Sequence, residues 1–257
     1  VWGGIDQIAR SDVNMVMTVN PQTKTILLTS IPRDSYVTLH SFGADDKLTH
    51  SGIYGVEETV STVEDWLGYD MNYYIKANFS MLVDIVDAID GVDVYSDFEF
   101  KSSVADFYYN EGENHLSGMA ALYFARERKA FEDEDIERGR NQQKVLKAMI
   151  NKTTQSKVIL TKYTQLLDAV EDEMQTNMSE KDISSLVKMQ INDMGKWTIN
   201  TISITGTDAY APTYSMGSQE LAVVIPDETS VEAAKQAIHD TMYPAYTKEK
   251  KNKSKTK

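Results

Sequence analysis

The chain has 257 residues, 41% hydrophobic and 9% aromatic, enough to bury a full core in one large domain or one domain with a small annex. Its net charge is −13; the tail Lys248–Lys257 contributes +5 through six lysines and one glutamate, so residues 1–247 carry −18. So acidic a body repels nucleic acid and anionic head groups over most of its surface, and the lack of cysteine excludes disulfides, thiolate zinc sites and cysteine nucleophiles.

"VNMVMTVNPQTKTILLTSIPRD" is two apolar runs around a turn signal, Asn20 and Pro21, and predicts a β-hairpin. "SGIYGVEETVSTVEDWLG" places Val56, Val60, Val63 and Leu67 at helical spacing and stops at Gly68, a helix with a glycine C-terminus. A short strand, "MNYYIKA", follows. "NFSMLVDIVDAIDG" is an amphipathic helix ending at Gly91, and "VDVYSD" is a strand. Helices are expected over "LSGMAALYFARER", "EDIERGRNQQKVLKAMINK" and "SKVILTKYTQLLDAVEDEM". "KWTINTISI" and "ELAVVIP" read as strands, and "TSVEAAKQAIHDTM" as the closing helix. This alternation predicts one α/β domain over residues 1–247, with a mixed central sheet between helical layers; the hairpin is what makes the sheet mixed. The lysine-rich tail 248–257 is expected to be disordered. No apolar run approaches the ~20 residues of a membrane span and no stretch reads as a signal peptide. The abrupt start at "VWGGID", without Met, reads as a piece of a longer protein.

Arginine is distributed unevenly. Of 26 basic residues only six are arginine, and they occupy three stretches: Arg10 in "ARSD", Arg33 in "IPRD", and Arg126, Arg128, Arg138 and Arg140 in "FARERKAFEDEDIERGRNQQK". Each has an acid within two or three residues, so local surface ion pairs, for instance of Arg128 with Glu127 or Asp135, are the plain explanation. Ion pairs alone do not explain why lysine fills every other basic position. Arginine offers a flat, permanently charged fork that grips phosphate or carboxylate through two hydrogen bonds. Arg33 falls at a strand end, where open α/β sheets place ligands; Arg126 and Arg128 end a helix. Asp135, Arg138 and Gln142 share one face of the next helix, with Arg140 off it and solvated. The expectation is a pocket in which arginines surround a multiply charged anion with carboxylates close by, as phosphoryl chemistry requires.

"RSDVNMVMTVNPQTKTILLTSIPRDSYV", "DKLTHSGIYG", "GVDVYSD" and "LYFARERKAFEDEDIERGRNQQK" together resemble the LytR–CpsA–Psr (LCP) family, most closely its streptococcal capsule members; "LAVVIPDETSVEAAKQAI" resembles the family's last strand and helix. The resemblance implies a membrane-anchored domain on the extracellular face of the cell membrane, held there by segments outside this chain. It also implies a phosphotransferase that moves a capsular polysaccharide or related anionic polymer from a polyprenyl-pyrophosphate carrier to peptidoglycan through a phosphodiester. Carried over, Arg10, Arg33, Arg126, Arg128, Arg138 and Gln142 would grip the pyrophosphate. Arg33 and Arg128 would lie nearest the transferring phosphoryl group, Asp12 would be a Mg²⁺ ligand and catalytic, and Asp135 is a further candidate for the charged pocket. The family's second metal aspartate falls just before Val1 at the usual loop length, which leaves Asp6 as a lookalike in an ordinary loop. Some of the twelve methionines would line a tunnel for the polyprenyl chain instead of plain core. The arginines by themselves equally suit a non-catalytic polyprenyl-phosphate-binding regulator or a lipid pyrophosphatase. The four histidines, His40, His50, His115 and His239, have no metal-ligand spacing and are read as structural or surface residues, with His50 and Lys47 packing a loop.

Overall fold

The computed structural model describes residues 9–132, 134–155, 161, 162, 165, 166, 173–193 and 195–244. Asp6, the lysine-rich tail and most of the helix expected over 156–174 lie outside them. The class is the mixed α/β one expected, and contacts within it cluster into two compact units. One is built on Asp70–Lys196, the other on Arg10–Tyr69 together with the chain from Trp197 onward.

The discontinuous unit starts with strands β1 (Asn14–Asn20) and β2 (Thr25–Ile31), the predicted antiparallel hairpin. Asn20 closes its turn, Oδ1 accepting from the N–H groups of Gln22 (3.0 Å) and Thr23 (3.1 Å). Six of the seven β2 residues are buried, the pattern of a strand covered on both faces. A short hairpin, β3 (Tyr36–Leu39) and β4 (Ala44–Lys47), leads into the single buried turn α1 (Leu48–Ser51) and then α2 (Val56–Leu67). Helix α2 stops at Gly68, which is left-handed (φ 73°) and donates its N–H to the Glu64 carbonyl; glycine enters that conformation without a Cβ penalty.

The contiguous unit opens with β5 (Ile75–Ala77) and α3 (Phe79–Ala88), whose N-cap Asn78 accepts from Met81 N–H at 2.9 Å. The strands β6 (Val92–Ser96), β7 (Phe100–Lys101), β8 (Tyr108–Tyr109) and β9 (Gly112–Leu116) pair β6 with β9 and β7 with β8. Strand β6 alternates buried and exposed residues, one face on the core and one in water. Helices α4 (Gly118–Arg126) and α5 (Glu134–Gln155) follow, then β10 (Met174–Thr176) antiparallel to β5, and α6 (Glu180–Asn192) with a Ser179–Asp182 capping box. Val86, Ile89, Val94, Phe100, Phe124 and Val145 form the centre of this core; a fully buried side chain of this kind contributes about 1.5–3 kcal/mol. Helices α3 and α4 touch backbone to backbone at Gly118, where a Cβ would sit 2.3 Å from the Val83 carbonyl oxygen.

The chain then returns to the discontinuous unit. Strand β11 (Thr198–Ser203) runs parallel to β2, giving the mixed sheet order β1–β2–β11. The hairpin β12 (Gly206–Thr213) and β13 (Gly217–Pro226) precedes α7 (Glu228–Met242). Val231, Ala234 and Ile238, at helical spacing, are the buried face of α7, which packs on β1, β2 and β11.

Candidate functional site

In the discontinuous unit, β2 ends at Ile31 and Pro32 breaks the ladder, so Arg33 emerges at a strand end as expected. Its Nη1 donates to Asp12 Oδ1 at 2.8 Å and its Nε to Asp34 Oδ2 at 3.3 Å; Lys47 Nζ donates to Asp34 Oδ1 at 3.0 Å. Backbone bonds hold the three segments together: Thr49 N–H to the Arg33 carbonyl (2.7 Å), Ser11 N–H to the Thr49 carbonyl (3.1 Å) and Leu48 N–H to the Ser35 carbonyl (2.8 Å). Burial weakens the Arg33 cation, but Asp34 and then Asp12 more than reverse this and its pKa is raised. Arg33 and Asp12 remain about a third exposed (31% and 33%). Such pairs add little stability but fix the direction in which the guanidinium faces.

Beside them lies a buried polar group. Asp46 Oδ1 contacts His50 Nδ1 at 2.7 Å and accepts the Lys47 N–H at 2.7 Å, and its Oδ2 accepts the Ser215 N–H at 2.8 Å; Ser215 Oγ also reaches His50 Nδ1, at 2.8 Å. Serine and aspartate meet the same ring nitrogen, whereas a proton relay needs one on each. The cluster fastens the β12–β13 connection to β4 and α1.

The contiguous unit holds Arg126, Arg128, Arg138 and Arg140. Helix α4 ends at Arg126, so Arg128 lies beyond the helix instead of in its last turn. The Arg126 guanidinium stands 4.9 Å over the Phe79 ring, a cation–π contact. Arg128 Nε is 2.8 Å and Arg138 Nη2 3.1 Å from the same oxygen, Asp135 Oδ1, and Arg128 Nη2 is 3.6 Å from Glu134 Oε2. The Arg128 Nε is shielded from solvent and, despite that anion beside it, no acceptor is aligned with its N–H. Gln142, half-buried, shares α5 with Asp135 and Arg138. Arg140, exposed, pairs with Glu137. Arg10 is exposed in the segment before β1.

Two acids beside the arginines differ from what the sequence suggests, Asp34 being unexpected and Glu127 expected as an ion-pair partner of Arg128. Asp34, next to Arg33 in "PRD", bridges it to Lys47; the adjacency was visible but not the bridge. Glu127 turns inward and bonds backbone N–H groups instead of pairing with an arginine.

Hard oxygen donors are what Mg²⁺ requires, and it commonly takes one or two protein carboxylates with water and phosphate oxygens completing the shell. Asp12, partly exposed beside Arg33, suits that mode. Asp34 is engaged by Arg33 and Lys47. Among the described residues no group of three or more His, Asp or Glu gathers into a protein cage.

Fold and side chains define a mixed α/β protein in which arginines stand beside carboxylates in each unit. The LytR_cpsA_psr family model matches residues 3–237, running through both compact units, and the chain belongs to that family. The crystal structure of B. subtilis TagV is similar at 30% identity and a TM-score of 0.73, covering 91% of this chain and 90% of that one. The structure described as TagT bound to LI-WTA is similar at 28% identity and a TM-score of 0.72, covering 92% and 87%. A Bacillus mycoides protein named polyisoprenyl-teichoic acid–peptidoglycan teichoic acid transferase TagU is 37% identical over 180 residues, 70% of this chain and 58% of that protein. The chain thus spans less than two thirds of the length of such curated relatives. Among the described residues no helix is long and apolar enough to cross a membrane.

Proposed function

We propose that this chain is a glycopolymer phosphotransferase: it binds a polyprenyl-pyrophosphate-linked anionic polymer and transfers it to peptidoglycan at the outer face of the cell membrane. Family membership and the relatives' names support the reaction class. The observation that carries the reading is Arg128, a partly exposed guanidinium whose Nε alone is shielded and lacks an aligned acceptor, beside a second arginine, Arg138, on the same Asp135 oxygen. An incoming phosphoryl oxygen would give that Nε–H an aligned, charge-assisted acceptor.

An acceptor hydroxyl of the glycan would attack the polymer-bearing phosphorus. The new P–O bond gives the phosphodiester, and the bond to the bridging oxygen breaks to release polyprenyl phosphate. In the contiguous unit Arg128 and Arg138 would bind and orient phosphate oxygens, with Arg126 and Gln142 as further contacts and Asp135 holding Arg128 and Arg138 in register; in the discontinuous unit Arg33 and Arg10 would supply anion contacts of their own. Asp12 would be the residue that holds Mg²⁺, which when bound there would neutralise phosphoryl charge. The carried polymer is taken to be a capsular polysaccharide or a related anionic polymer, such as the teichoic acid in the relatives' names.

The test is transfer of a labelled lipid-linked saccharide to peptidoglycan by the full-length protein and its Arg128→Lys variant. Lysine keeps the charge and loses the fork; loss of one transition-state donor lowers the rate by roughly a hundred- to thousandfold. The expected result is that loss with the fold unchanged by circular dichroism. Near-wild-type transfer by Arg128→Lys would remove Arg128 from the mechanism and leave a site that only attracts anions.

A further inference from the structure

Glu127 is flanked by two arginines in "RER", yet its carboxylate is turned away from both. It leaves α4 in an extended conformation (φ −64°, ψ 138°). Extended backbone sends neighbouring side chains to opposite sides, and Glu127 points inward, 1% exposed. Its carboxylate accepts from main-chain donors, Oε2 from the Ser103 N–H at 2.6 Å and Oε1 from those of Arg128 (3.0 Å) and Ala130 (3.2 Å), and from the side chains of Ser103 and Ser102. The Phe131 N–H to the Arg128 carbonyl, at 3.1 Å, closes the same turn. One side chain therefore ties the β7–β8 loop to residues 127–130, on which Arg128 is mounted.

Burial pushes the Glu127 carboxyl up, but the bonds from Ser103, Arg128 and Ser102 more than offset this and its pKa lies below the ordinary glutamate value. Only an ionised carboxylate is an acceptor at both oxygens. A glutamine in its place would set an NH₂ against a backbone N–H and push one half of the turn away.

We propose that Glu127 is a positioning residue for Arg128, fixing the turn from which the guanidinium faces the transferring phosphate; the role in transfer rests on the phosphotransferase reading above. Misplacing a phosphate-binding group by about 1 Å can cost roughly a hundredfold in rate without any loss of charge.

The test compares Glu127→Gln and Glu127→Asp, each alone and combined with Arg128→Ala, in the transfer assay, and follows the Arg128 Nε–H resonance by NMR. Glu127→Gln is expected to lower kcat by about a hundredfold with little change in KM, and to move the Nε–H resonance. With Arg128 already alanine it should cost little more, because residues acting through one another are not additive. Glu127→Asp, charged but one methylene shorter, should recover part of the rate. The same fold-loss in both backgrounds, or an Nε–H resonance unmoved by Glu127→Gln, would overturn the positioning role. Should Glu127→Gln not fold, the resonance in Glu127→Asp decides: a shift supports the role and an unchanged signal overturns it. Arg128→Ala with full transfer would sink the phosphotransferase assignment of Arg128, while the resonance would still decide whether Glu127 sets its position.

Discussion

At Asp46, burial and hydrogen bonding pull the carboxyl in opposite directions. Burial raises its pKa, the bonds from His50, Ser215 and Lys47 lower it, and the net shift is downward. A carboxylate with a folded value below its unfolded one adds stability above the unfolded pKa, and that stability is lost as pH falls through the folded value. The loss should therefore occur below about pH 4, and Asp46→Asn should flatten the acid limb of a urea-unfolding series across that range. At neutral pH Asp46→Ala strands the Ser215 and Lys47 N–H groups and His50, and should destabilise by about 3 kcal/mol in urea titration; a change under about 1 kcal/mol would mean that water replaces the carboxylate. Residues of this kind were only partly legible. Confinement of arginine to three stretches was visible in composition, and His50 was rightly assigned to loop packing, being buried against Asp46. Lys47, given the same role, instead reaches Asp34 beside Arg33. The direction of Glu127 depends on where α4 stops, and a shift of one residue in that boundary turns its side chain to the other side.

Elements announced themselves where one face is continuously apolar. The β1–β2 hairpin, α2, α3 and α7 fall where periodicity placed them, because each buries a stripe or face against its own unit. The hairpin β3–β4 escaped, since "ADDK" pairs as a strand through its backbone with charged side chains. Strand β12 was missed because it is mostly exposed and its partner alone carries the apolar run. Helix α6 had a readable start, Ser179 three residues before Asp182, which forms the capping box. Two glycines separate backbone strain from packing at this scale. Gly68→Ala meets no atom within 4 Å, so it should cost only the left-handed penalty, about 1 kcal/mol. Gly118→Ala drives a methyl against the Val83 carbonyl and must part α3 from α4, which should cost about 3 kcal/mol. Thermal unfolding of the two variants should show the larger shift for Gly118→Ala; equal shifts would mean that the helices separate freely.

For the whole molecule, residues 1–247 carry −18, so on the proposed reading a lipid diphosphate would gain nothing from the overall field and would have to be held by local arginines and by apolar contact with its lipid, at about 25 cal/mol per Å² buried. Calorimetry should accordingly find undecaprenyl pyrophosphate bound at least tenfold more tightly than inorganic pyrophosphate, about 1.4 kcal/mol; equal affinities would exclude an apolar site for the carrier. The central strand β2 has a different consequence. Its second neighbour, β11, begins at Thr198, while β2 ends at Ile31. The hairpin with β1 can close at once, being local, but the other edge of β2, with Ile26, Leu27 and Leu28 along it, stays unpaired until Thr198–Ser203 has emerged. In that interval the nascent protein offers an apolar strand edge to any other nascent copy, the usual route to strand-on-strand association. The Asp70–Lys196 segment is contiguous and can collapse during the wait. Interrupting synthesis anywhere before Thr198 should therefore leave an adhesive edge that drives aggregation, where interruption after α7 should not.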